Sequence, residues 1–98
     1  MSNLNVVAII EAKPDSVDEV RAALIELVNA TRAEEGCVSY DLSESLAAPG
    51  TFVAREVWRS QEDLAQHAQS AHVQAAMGTV GSLLAAAPAI HPLGAGIA

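Results

Sequence analysis

Two spacings of apolar residues alternate along this chain and outline its elements. Leu4 to Ile10, "LNVVAII", is a run apolar at every position but Asn5 and rich in β-branched side chains. Such a run predicts a strand covered on both faces, because a strand with one wet face alternates apolar and polar residues. Lys13-Pro14-Asp15 interrupts it. Val17, Val20, Leu24, Leu27, Val28 and Thr31 then recur three or four apart, as on one face of a helix. Ser16 with Glu19 three positions on predicts a capping box at the helix start, and Gly36 a left-handed residue at its end.

From Cys37 to Leu46 the period drops to two. Val38, Tyr40 and Leu42 alternate with Ser39, Asp41 and Ser43, the pattern of a strand. Ala48-Pro49-Gly50 predicts a turn, and "TFVAREVW", Thr51 to Trp58, a second strand that closes an antiparallel hairpin. Ser60, with Asp63 at the box position, starts another helix, and Ser70 can restart one through Val73, Met77, Val80 and Leu84 until Pro88 ends it. "AIHPLGAGIA" reads as a last, irregular strand, with Pro92 favouring an edge or a bulge.

The order is β-α-β-β-α-β, the split arrangement of ferredoxin-like α+β folds, in one domain spanning residues 1–98. A four-stranded antiparallel sheet with its helices on one face leaves the other face bare. The strands are nevertheless apolar on both sides. A second copy of the same sheet is the expected cover, so the patterning predicts a homodimer.

Composition narrows the function. Aromatic residues make up only 3% of the chain, so the core must be aliphatic. A net charge of −7, with five scattered basic residues, argues against nucleic acid and anionic membrane surfaces. The lone Cys37 excludes an internal disulfide and any multi-cysteine zinc site, and it suits a reducing cytoplasm. "MSNLNVVAII" lacks a basic leader region, and no apolar run approaches the roughly 20 residues of a membrane span. A cytoplasmic location is expected.

The single Trp and two of the three His fall between Glu56 and His72. Period two puts Phe52, Ala54, Glu56 and Trp58 on one strand face. Glu56 there is either buried beside the aromatics, with its pKa raised by desolvation, or paired with Arg55, Arg59 or a His and lowered. His67 stands three positions after Leu64 on the inward helix face, either as a structural group or as a base. His72 lies about 140° round an unbroken helix from His67, so the two meet in one cavity only if the helix breaks near Ser70. No third ligand at metal spacing accompanies them, and no metal site is expected. Cys37 has no His near it in sequence, and no nucleophile elbow, phosphate loop, flavin or haem signature is present. No cofactor is expected.

Two spaced motifs carry a resemblance: "EEGCVSY" after the first helix and "REVWRSQEDLAQHAQSAH" across the third strand and second helix. The patterns E-x-G-C-x-x-Y and E-x-W-x-S-x-x-x-L-x-x-H-x-x-S-x-H are similar to those of the antibiotic biosynthesis monooxygenase domain, and most to its small quinol-monooxygenase branch. The resemblance implies a dimeric α/β barrel of two face-to-face sheets, each subunit keeping a pocket between sheet and helices. It also implies chemistry ranging from cofactor-free oxygenation of quinols and polyketides to haem degradation and isomerisation. Polyketide oxygenases of the family place an Asn and a Tyr where this chain has Ala54 and Leu64. The haem-degrading branch places a Trp and its iron-binding His where this chain has His67 and Met77.

The expectation is a cofactor-independent monooxygenase acting on O2 and a quinol or other electron-rich aromatic. In that reading His67 is the catalytic base, with Glu56 as its orienter or an alternative base. Tyr40, Trp58 and Phe52 hold the ring, and His72 helps at the pocket mouth. An isomerase of a small oxygenated metabolite and a non-catalytic binding module are the alternatives.

Overall fold

A computed structural model describes residues 3–98; Met1 and Ser2, on which the reading of the N-terminal segment partly falls, lie outside the described residues. Strands β1 (Leu4–Glu11), β2 (Cys37–Glu44), β3 (Thr51–Trp58) and β4 (Ala89–Leu93) form one sheet in the order β2-β3-β1-β4, every neighbouring pair antiparallel. Helix α1 (Val17–Thr31) follows β1, and α2 (Gln61–Ala68) and α3 (Ala71–Val80) follow β3. This is the predicted split β-α-β-β-α-β chain, with the second helical segment divided in two. None of the described helices is long and apolar enough to cross a membrane.

One face of the sheet and the inner stripe of the helices make the core. Val6, Ala8 and Ile10 of β1 and Phe52, Ala54 and Trp58 of β3 are buried against Val20, Leu24, Leu27 and Val28 of α1 and Ala76 and Val80 of α3. The opposite face carries Val7, Ile9, Val53 and Val57, all only partly covered. Central strands thus point apolar residues both ways, as the apolar run in β1 predicted.

Four local expectations need correction. Ser16 makes no side-chain cap on α1, because its hydroxyl donates to Asp15 Oδ1 at 3.1 Å. Gly36 does not end that helix. The helix stops at Thr31 with Arg32 still right-handed, and the one positive φ among the described residues is at Gly50, 89°, in the β2–β3 turn. Gly36 is needed for space instead, since a Cβ there would collide with the Asp63 side chain.

Val38 is exposed although it alternates with Tyr40, because a bulge between Cys37 and Ser39 sets Cys37 opposite Trp58. Helix α3 ends at Val80, well before Pro88. Past a short 3-10 turn, Gly81–Leu83, the backbone is drawn to the end of β1 by Lys13 N–H to Leu83 O at 2.8 Å and Ala85 N–H to Glu11 O at 2.8 Å.

Candidate active site

Between the sheet and the helices lies a cavity of about 410 Å³, lined by aliphatic side chains such as Ile10, Leu24, Leu64 and Met77. Three polar side chains reach its wall: Tyr40 from β2, Glu56 from β3 and His67 from α2. An apolar cleft with a few convergent polar groups is the usual make-up of a small-molecule site.

Local structure aims each of them. Tyr40 and Glu56 are register partners across β2 and β3, so they share the core face of the sheet. Ser60 fixes the start of α2 as predicted: its Oγ accepts the Asp63 N–H at 3.1 Å, and Arg59 grips the Asp63 carboxylate at 2.8 Å. Seven residues on, His67 is buried, its ring centroid 4.6 Å from that of Trp58 and 6.0 Å from that of Tyr40. The break at Ser70 is real. The Ser70 hydroxyl and N–H both donate to His67 O, at 2.7 and 3.0 Å, and the same hydroxyl accepts from Val73 N–H to start α3.

That break turns His72 back toward His67, and the two rings meet at a residue to which the sequence reading assigned no role. Glu34, in the segment between α1 and β2, places Oε2 at 2.7 Å from both His67 Nδ1 and His72 Nε2. The expectation that no third ligand-type group accompanies the histidines is therefore overturned. Glu34, His67 and His72 are the one such cluster among the described residues, their donor atoms within 4.8 Å of one another, and they could hold a metal ion. Ligating histidines normally hand their second ring nitrogen to a protein partner. Neither His67 Nε2 nor His72 Nδ1 has one among the described residues. As placed, the three groups satisfy each other by hydrogen bonds. The signal for Glu34 was present, since it is the first residue of the E-x-G-C-x-x-Y pattern.

Glu56 is buried, and its Oε1 accepts the Trp58 indole N–H at 2.9 Å. Burial raises its pKa above the ordinary value, opposed by the Trp58 hydrogen bond and by the proximity of His67. Neither Arg55 nor Arg59 pairs with it; they go to Ser43 and to Asp63 with Glu35. It does not touch His67 by a hydrogen bond either, so the orienting carboxylate is Glu34. Burial pushes the Tyr40 hydroxyl well above the ordinary tyrosine range, which keeps it a neutral donor, and burial likewise raises the Cys37 thiol. Phe52 and Trp58 lie off the cavity wall. Phe52 is buried with Arg21 over its ring at 5.7 Å, and Trp58 backs His67. His72 also lies off that wall, lining a smaller groove of about 220 Å³ between α1 and α3.

The family model for antibiotic biosynthesis monooxygenase matches residues 4–79, every strand and helix that builds this cavity except β4. The chain belongs to the antibiotic biosynthesis monooxygenase family. Among relatives of this family member is a Mycobacterium tuberculosis protein named "Putative monooxygenase Rv0793", 41% identical over 83 residues, 85% of this chain and 81% of the relative. Its solved structure superimposes with a TM-score of 0.88 at 37% identity, covering 96% of this chain and 95% of that one. A Bacillus subtilis protein named "Putative monooxygenase YcnE" is 35% identical over 79 residues, 81% of this chain and 83% of the relative. The family membership implied by the motifs and the ferredoxin-like fold read from the element order both hold.

Proposed function

We propose that this family member is a cofactor-independent monooxygenase of a quinol or similar electron-rich phenol, with His67 as the general base. One observation carries the reading: His67 stands on the wall of a largely aliphatic cavity with its Nδ1 held by Glu34, leaving Nε2 as its free ring nitrogen. A phenol bound there loses its proton to His67, and the phenolate passes an electron to O2, which closed-shell phenols do only slowly. One oxygen atom enters the ring and the other leaves as water, so that quinol plus O2 gives hydroxyquinone plus water. The substrate supplies the electrons, and the protein supplies base, orientation and exclusion of water. Tyr40 and Glu56 hold the substrate oxygens, and the aliphatic wall holds the ring.

Two copies pack through the sheet face of Val7, Ile9, Val53 and Val57, which a single chain leaves partly open to water. The free thiol of Cys37 suits the reducing cytoplasm as the place of work.

Oxygen uptake by the purified protein over a panel of one- and two-ring quinols tests the reading. Saturable uptake above the rate of spontaneous oxidation is expected for at least one of them. Uptake equal to the spontaneous rate across the panel overturns it.

A further inference from the structure

We infer that Glu34 sets the tautomer of His67, keeping its ring proton on Nδ1 and the Nε2 lone pair free, and that His72 locks the carboxylate in place. This role rests on the reading of His67 as base and adds two positioning residues to it. An ionised carboxylate only accepts hydrogen bonds, and a neutral imidazole carries a single N–H. Glu34 Oε2 lies 2.7 Å from His67 Nδ1 and 2.7 Å from His72 Nε2. A ring lone pair facing that oxygen at such a distance would be repelled, so each neutral ring must place its one proton on the nitrogen nearest Glu34. For His67 this is the tautomer that a free histidine side chain disfavours. It is also the one that a base needs, because the remaining lone pair sits on Nε2, on the ring edge away from Glu34.

The placement is built in. Glu34 is pinned by its own backbone, its N–H donating to Thr31 O at 2.9 Å and its carbonyl accepting from Cys37 N–H at 3.1 Å. His67 is held between the Trp58 ring and the Ser70 hydroxyl on its carbonyl. His72 reaches the same oxygen only because the chain breaks at Ser70. The side chains of the three groups are 19%, 10% and 26% exposed for Glu34, His67 and His72, so the two N–H groups stand in for much of the water the carboxylate has lost.

Proton–nitrogen correlation spectra of the imidazole rings, recorded on the alkaline side of their titration, test this without any substrate. The expected spectrum shows His67 protonated on Nδ1 and His72 on Nε2. A wild-type His67 protonated on Nε2 overturns the inference, whatever the activity proves to be. In Glu34→Leu the shared acceptor is gone, so His67 should revert to the tautomer that a free histidine side chain favours, protonated on Nε2. A spectrum unchanged by that substitution also overturns it, and if the variant does not fold, the wild-type spectrum decides alone.

Where quinol-dependent uptake is present, Glu34→Leu should lower kcat about 10²–10⁴-fold with KM little altered, as expected when a base reverts to the wrong tautomer. A KM rise with kcat unchanged would refute the positioning role. The expected tautomers in a protein that consumes no O2 would support this inference and refute the monooxygenase reading.

Discussion

The two faces of the sheet are built from similar residues and come to different ends. On the helix-covered face Val6, Ala8, Phe52, Ala54 and Trp58 are sealed into the core, and Glu56 is sealed in with them. On the other face Val7, Ile9, Val53 and Val57 keep part of their surface in water, and Arg55 between them is exposed. A covered face changes what its polar groups can do: burial raises the pKa of Glu56 and pushes that of Tyr40 well above its usual range. Among the described residues the open face has no such group. The buried titratable groups Tyr40 and Glu56 lie where the helices cover the sheet, and the other face keeps apolar side chains partly in water.

The largest effect expected from breaking this contrast is on the covered face. His67→Ala should lower quinol-dependent kcat by about 10²–10⁴-fold while circular dichroism stays that of the wild type. Equal activity in the two proteins would remove the base assignment. Trp58→Ala deletes a side chain that is fully buried and leaves Glu56 without its indole donor. Denaturant unfolding should show a loss of about 3–5 kcal/mol, the usual cost for such a truncation. A loss below ~1 kcal/mol would mean that this part of the core is far looser than described.

On the open face, Val53→Asp should leave the fold intact and weaken self-association by about 3 kcal/mol, roughly a hundredfold in dissociation constant. Sedimentation velocity at micromolar concentration reads this directly. A wild-type protein that already sediments as a folded monomer would end the argument for a paired face.

The smallest effect sharpens the contrast through pH. Because burial raises the folded pKa of Glu56 above its ordinary 4.5, its contribution to stability is full below that value and is lost as pH rises through the raised pKa. Glu56→Gln keeps an acceptor for the Trp58 indole and has no charge to desolvate. Thermal melts from about pH 4 to about pH 8 should show the variant gaining on the wild type as pH rises. A gap that stays constant, or shrinks, contradicts the burial of the charge.

What was legible in the sequence follows from how local the cause is. The strands, the α1 stripe and the caps at Ser60 and Ser70 depend on residues within a turn or two of each other, and they stand where the pattern put them. The fate of Val38 was hidden because a bulge inserts an unpaired residue without disturbing the written alternation. The role of Gly36 was misread because the atoms that crowd it belong to Asp63, on another element.

Glu34 was overlooked for the same reason at longer range. It lies in an irregular segment with no period to mark it, 33 and 38 residues from the two histidines it joins. On an unbroken helix His67 and His72 would stand about 140° apart and could not pair. Ser70 breaks that helix, and a carboxylate from a third element completes the cluster.

Turnover of a reactive quinol under isotopically labelled dioxygen tests the central claim most directly. The account predicts that one labelled atom appears in the quinone product and the other in water. Turnover that leaves the product unlabelled, with the oxygen recovered as hydrogen peroxide or not consumed at all, would contradict it.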